Sequence, residues 1–220
     1  MDISTIAKAL AAADKYCLFG VIRQMEPFLS QVRVIEEGPM RVYILARRFD
    51  MPELAKRAAK ETLLHPFPGP YSRELKDTSA AALYDLLEYR DKCVKLLDPL
   101  LEDPTSNVWE STQVQRWHFN QSVNTRAFSS WCAVCGWAKV TRFTEYKALI
   151  RQKYTSMLCG ASIKSINVWD TCIKHFHLCK ECMWSYAPQL VEFNEKLAAI
   201  LDAQIAEVSS PNCYHVAESE

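Results

Sequence analysis

The chain has 220 residues, enough to bury one good core or to divide into a domain and a smaller module. It is 49% hydrophobic and 24% charged, and its 5 glycines and scarce strand-like alternation argue against a sheet protein. Lys+Arg and Asp+Glu balance at 26 each, and no basic run supplies the cationic face that nucleic acid or an anionic membrane requires, so neither is an expected partner.

The first residues, MDISTIAKALAAADKYC, interrupt their apolar positions with Asp2, Lys8, Asp14 and Lys15, which fits neither a signal peptide nor an anchor. No apolar run approaches the roughly 18 residues of a spanning helix. A cytoplasmic or nuclear location is expected. The 9 cysteines then sit in a reducing compartment, where metal ligation or burial outweighs a disulfide framework.

Helical spacing begins at once, with Ile3, Ile6, Ala9, Leu10 and Ala13 on a first helix ending near Lys15. A second helix is expected from Leu18 to Gln31, bent or restarted at Pro27, before Glu37-Gly38-Pro39 breaks the chain. The third runs from Met40 to Phe49. The fourth opens on Pro52, a favoured first-turn position, and reaches about Leu64. His65-Pro66-Phe67-Pro68-Gly69-Pro70 reads as a rigid loop. Ser79 is a candidate N-cap for a long helix through Leu97, disturbed at Asp98-Pro99 and ended by Asp103-Pro104. Residues 105–130 are polar and aromatic with weak periodicity. The last helix has the clearest stripe, Leu190, Phe193, Leu197, Ile200, Leu201, Ile205 and Val208. The cationic groups Arg47-Arg48 and Lys56-Arg57-Lys60 read as solvated helix faces.

One internal echo stands out. Ala13-x-x-Tyr16-x-Leu18-x-x-Val21 recurs as Ala46-x-x-Phe49-x-Met51-x-x-Leu54, an offset of 33 residues. A helix that ends on a small residue and an aromatic is followed by a short turn and an apolar helix start. Two stacked helical hairpins or a coincidence of amphipathic hairpins both account for it, and two copies are too few for a solenoid, which needs at least ~3.

These segments bring a family into view. Ala11-Ala12-Ala13-Asp14-Lys15-Tyr16, with the helix ending at Phe28-Leu29, resembles the last helical hairpin of a BTB/POZ domain. Val42–Leu64 (VYILARRFDMPELAKRAAKETLL) resembles the first helices of the BACK-like region that follows it. Fungal BTB/POZ-containing proteins are similar over most of the chain, continuing through a stretch like Tyr71–Tyr89 to two Cys-x-x-Cys pairs and a long final helix. The strand-and-helix half that begins a BTB/POZ domain has no counterpart here. The resemblance implies a protein-interaction or adaptor role, with other proteins and a cullin-type ubiquitin ligase as partners.

Cys132-Ala133-Val134-Cys135 and Cys179-Lys180-Glu181-Cys182 carry the chemistry. Two residues between thiolates let both sulfurs face one tetrahedral ion, so four thiolates close a structural zinc site, with His175 or His177 as possible substitutes. The alternative is burial of the thiols as small hydrophobes at helix starts, a reading that also suits Cys17, Cys93, Cys159 and Cys172. A third reading is a thiol–disulfide oxidoreductase, since Trp131-Cys132-x-x-Cys135 copies the redox motif; that motif belongs after a buried strand, and Asn124–Ser130 offers none. Trp109, Trp117, Trp131, Trp137, Trp169 and Trp184 serve either as core fillers or as a peptide-binding surface. No nucleophile elbow, phosphate loop, metal-hydrolase helix or zinc-deaminase pattern is present, so no enzyme activity is expected.

The expected molecule is therefore all-α, with stacked helical hairpins and a C-terminal cysteine-pinned helical module. Its parts are a hairpin at 1–38, BACK-like helices at 39–104, a linker at 105–130, the Cys-x-x-Cys module at 131–209 and a tail at 210–220.

Overall fold

In the structure, a computed structural model describing residues 2–103, 105–109, 139–175 and 178–211, the side chain of Asp2 accepts a hydrogen bond from the Thr5 N–H at 2.6 Å. That bond caps α1 (Ile3–Lys15) and holds the Asp2 carboxyl below its usual pKa. α1 buries Ile6, Leu10 and Ala13 and packs against α2 (Phe19–Leu29). The second helix was expected to reach Gln31 and to bend or restart at Pro27; α2 instead carries Pro27 in its interior, where only the bond to the Arg23 carbonyl is lost, and ends at Leu29. The chain restarts as α3 (Val32–Glu37), burying Val34 and Ile35.

Pro39, read as part of a break, is instead the first residue of α4 (Pro39–Arg48), where its fixed φ suits the helix and its missing N–H costs nothing. Val42, Tyr43, Ile44, Leu45 and Ala46 are all buried, so the middle of α4 is covered on every side. The Tyr43 hydroxyl donates to the Ala82 carbonyl at 2.8 Å. α5 (Pro52–Glu61) lays the small residues Ala55, Ala58 and Ala59 inward and packs on α4; a 3₁₀ turn, Thr62–Leu64, finishes the expected fourth helix. Arg47 and Arg48 are not free surface charges. Arg47 pairs with Asp85 at 2.9 Å and Arg48 with Asp14 at 3.2 Å, neutralising the polar end of an otherwise buried helix.

Ser79 Oγ accepts from the Ala82 N–H at 3.1 Å and opens α6 (Ala80–Val94). The long helix stops earlier than expected, and α7 (Leu97–Glu102) follows separately. Pro99 is the reason: its ring excludes the carbonyl of Lys95, so the break falls one turn upstream and Pro99 enters the first turn of α7. The described chain divides into two compact units inside α6, Met1–Asp91 (with the stretch from Ser209) and Lys92–Val208, a boundary no composition change marks.

The second unit continues with α8 (Lys139–Ser156), α9 (Gly160–Lys164), α10 (Val168–Asp170), a π-type turn Thr171–His175, and α11 (Lys180–Glu207). α11 begins ten residues before its apolar stripe and carries Pro188 in its interior. Its core is aromatic: Trp109, Phe143 and Phe193 form a three-ring cluster with centroids 5.1–5.6 Å apart. Asn194 donates to the Tyr146 hydroxyl at 2.6 Å, and the Tyr154 hydroxyl donates to the Cys93 carbonyl at 2.7 Å. Most of the expected linker, residues 110–130, and the tail from 212 lie outside the described residues.

The fold is all-α, with no strand among the described residues. No described helix is long and apolar enough to cross a membrane.

Two contacts in the second unit give stability predictions. A Cβ on Gly160 would stand 2.6 Å from the Ala198 carbonyl oxygen and 2.9 Å from the Ala198 Cβ, so α9 approaches α11 only because that residue is glycine. Gly160→Ala is expected to lower unfolding free energy by about 1–3 kcal/mol, read as a reduced urea midpoint at unchanged slope. Lys147, only 5% exposed, is paired by Glu102 at 2.8 Å, and Arg151 joins Glu102 and Asp98. Burial pushes the Glu102 carboxyl up, but its bonds from Lys147 and Arg151 outweigh that and hold it below the usual range. A depressed folded pKa means stability present above the unfolded value and lost as pH falls through the folded one. Glu102→Gln should cost about 1–2 kcal/mol at neutral pH and progressively less below pH ~4, in urea melts at the two pH values.

Candidate functional site

The cysteine pairs were the sequence's main chemical feature, and the second of them starts α11. Cys179 is its N-cap, with extended backbone, and Cys182 lies three residues on, so both occupy one side of the first turn. Both are half-buried. The Leu178 N–H donates to the Cys172 carbonyl at 3.0 Å, which ties the approach to Cys179 to the π-type turn. Cys132 and Cys135, with the Trp131 beside them, lie outside the described residues, as does His177; His175 ends the π-type turn. Among the described residues, no three His, Cys, Asp or Glu side chains converge as a metal cradle. The only half of the four-cysteine set that the structure places is Cys179 with Cys182.

The other cysteines divide. Cys93, Cys159 and Cys172 are buried, and burial pushes the Cys172 thiol up to about 11, leaving it protonated and unreactive at neutral pH. Cys17, which reads from sequence as a small buried hydrophobe, is exposed. It sits at φ 53° in the turn between α1 and α2.

That turn is one half of the sequence echo, and its geometry repeats. The Leu18 N–H donates to the Ala13 carbonyl at 2.8 Å, and the Met51 N–H to the Ala46 carbonyl at 2.8 Å. Cys17 at φ 53° and Asp50 at φ 54° occupy the same left-handed position between them. This is the Schellman arrangement: the left-handed residue reverses the chain, and the next N–H satisfies a carbonyl that the helix end leaves open. Ala13 and Ala46 are buried at matching places.

The two copies differ in what covers them. Met51 is 4% exposed and Leu54 buried. In the first copy Leu18, the counterpart of Met51, is 50% exposed, while Val21, the counterpart of Leu54, is half-buried; beside Leu18, Tyr16 is 67% and Phe19 68% exposed. Three large apolar side chains in four residues thus stand in solvent on a tightly bonded turn. Sequence reading missed this surface, because an apolar residue at a helix start looks the same whether a neighbour covers it or not; the echo was the one available signal. The tryptophans also split, since Trp109 fills the core and donates to the Leu100 carbonyl at 3.1 Å, while Trp184 is 66% exposed with Trp169 edge-on at 5.3 Å.

Comparison with family models, with curated proteins and with solved structures gives no match for this chain.

The cysteine pairs make a direct prediction. Elemental mass spectrometry of tag-free protein purified under reducing conditions should find about one zinc per chain, lost alike in Cys132→Ser and Cys179→Ser. Metal-free protein whose thiols all titrate after unfolding would rule the zinc site out.

Proposed function

We propose that the chain is a non-catalytic protein-interaction module of the adaptor kind, docking partners on the tip of its first helical hairpin. One observation carries this reading: two hairpins share one turn geometry, yet Met51 is covered in the second copy while its counterpart Leu18 is bare in the first, flanked by exposed Tyr16 and Phe19. Exposed clusters of large apolar side chains on a rigid element are the usual signature of an interface, and aromatic residues are the usual anchors. The left-handed turn fixes these side chains before a partner arrives, so little ordering cost attends docking.

The resemblance of Ala11–Tyr16 and Val42–Leu64 to BTB/POZ and BACK-like helices supports the same class, with a cullin-type ubiquitin ligase as one partner of that kind. Structural zinc on Cys132, Cys135, Cys179 and Cys182 would brace the second unit, a role supported by the one-turn spacing of Cys179 and Cys182 at the start of α11.

The test replaces Tyr16, Leu18 and Phe19 together with serine. All three side chains are exposed, so circular dichroism and the unfolding midpoint should be unchanged. Interface anchors are worth about 2 kcal/mol each, so proximity labelling in cells should lose its main partners, with affinities for any purified partner down by more than about thirtyfold. An unaltered partner set would overturn the reading.

A further inference from the structure

The first unit contains a groove of about 870 Å³ between α1, α4 and the segment His65–Glu74. Its outer wall is held at both ends. Arg90, buried on α6, places its guanidinium 4.4 Å from the centre of the Phe67 ring and donates to the Thr62 carbonyl at 2.5 Å. At the far end Arg41 donates to Glu74 at 2.6 Å and to Ser4 Oγ at 3.2 Å, so one guanidinium joins all three sides. Burial pushes the Glu74 carboxyl up, but the bond from Arg41 outweighs it and keeps the pair ionised. Between these anchors Pro66, Pro68 and Pro70 fix the backbone, and Gly69 at φ 74° turns it. The groove is therefore formed before any ligand enters.

Its charge is one-sided. Lys8, Arg41, Arg48 and Arg73 line it against two carboxylates, Glu37 and Glu74. Both carboxylates are already matched, Glu37 by Arg33 and Glu74 by Arg41, while Arg48 is matched by Asp14. Lys8 and Arg73 are exposed and close no ion pair among the described residues; the field of Lys8 reaches Asp2, whose carboxylate is engaged by the Thr5 N–H. The two remaining cations stand on different elements, α1 and the segment after the prolines, and the half-buried Phe49 and Phe67 also line the groove.

We infer that this groove binds a short extended peptide segment of a partner protein, with acidic residues flanking an apolar one. The volume lies within the roughly 300–1,000 Å³ of ligand sites. Two cations on different elements ask for more than one anionic group, which an acidic peptide supplies along its length and a single carboxylate does not. Two unmatched cations are too few to retain a phosphate backbone at physiological salt. The surface is distinct in residues from the Tyr16–Phe19 tip and does not need it.

The experiment selects random dodecapeptides displayed on phage against the intact chain, then measures synthetic copies of the winners by fluorescence anisotropy. The expected winners carry two or more Asp or Glu around Leu or Phe. Their affinity should fall by about tenfold or more in Lys8→Glu with Arg73→Glu. It should also weaken between about 50 and 300 mM salt. Should the reversed pair unfold, as circular dichroism would show, Lys8→Gln with Arg73→Gln serves instead, with a smaller loss of the same sign. The tip variant at Tyr16, Leu18 and Phe19 should bind these peptides normally, which separates failure of the groove from failure of the tip. No enrichment, winners without acidic residues, or affinities indifferent to Lys8 and Arg73 would each overturn the assignment.

Discussion

The first unit depends on one backbone device used twice, the left-handed turn that closes α1 and α4. A helix end leaves four carbonyls without partners, and here the N–H of Leu18 or Met51 folds back onto the buried alanine's carbonyl. The reversal sets where the next helix starts, which brings α2 against α1 and α5 against α4. The cost is a non-glycine residue in the left-handed region, about 1–2 kcal/mol for most side chains. Asp50 is a residue type that tolerates that region; Cys17 is not, and it stands at the exposed tip. Strain kept at a bare apolar turn is consistent with a surface held for something other than internal packing.

α4 is the second constraint. A ten-residue helix with five consecutive buried residues leaves its cations nowhere to solvate except at its ends. Arg41, Arg47 and Arg48 accordingly reach Glu74, Asp85 and Asp14, each on a different element. The same pairing that lets α4 be buried fastens the proline-rich segment across it, and the groove is the space left between. Exposed ion pairs such as Arg48 with Asp14 contribute little singly; the Arg41–Glu74 and Arg47–Asp85 pairs are half-buried, and all three join elements distant in sequence, so their effect is on geometry more than on net stability.

The second unit solves a different problem. Its apolar mass is concentrated in rings, Trp109, Phe143 and Phe193, and its buried polar atoms sit in specific bonds such as Asn194 to Tyr146. Gly160 permits the closest helix approach, and Asp202 caps the start of α9 by accepting from the Gly160 N–H at 2.7 Å. Lys147 is buried only because Glu102 meets it. Cys179 and Cys182 enter this frame at the start of its longest helix, where any ligand they hold would be fixed to the stripe that packs the unit.

Helical class, the limits of α1 and the cap at Ser79 were legible in the sequence, because spacing, N-cap chemistry and composition act within a few residues of chain. The turn echo was legible for the same reason. The prolines were harder. Pro27, Pro39, Pro99 and Pro188 respectively precede a helix end, open a helix, break one a turn upstream, and sit inside a helix that continues. A proline in a helix interior removes one bond, whereas one in the first turn removes none, and only packing elsewhere determines which of these a given proline becomes. Exposure was beyond the sequence altogether. Leu18 and Met51 occupy identical local structure, and the difference between 50% and 4% exposed lies in which distant residues cover them. The groove is likewise tertiary, since Lys8, Arg41 and Arg73 share no local pattern and line one groove only because α4 is buried between α1 and the segment that Arg41 and Arg90 hold down.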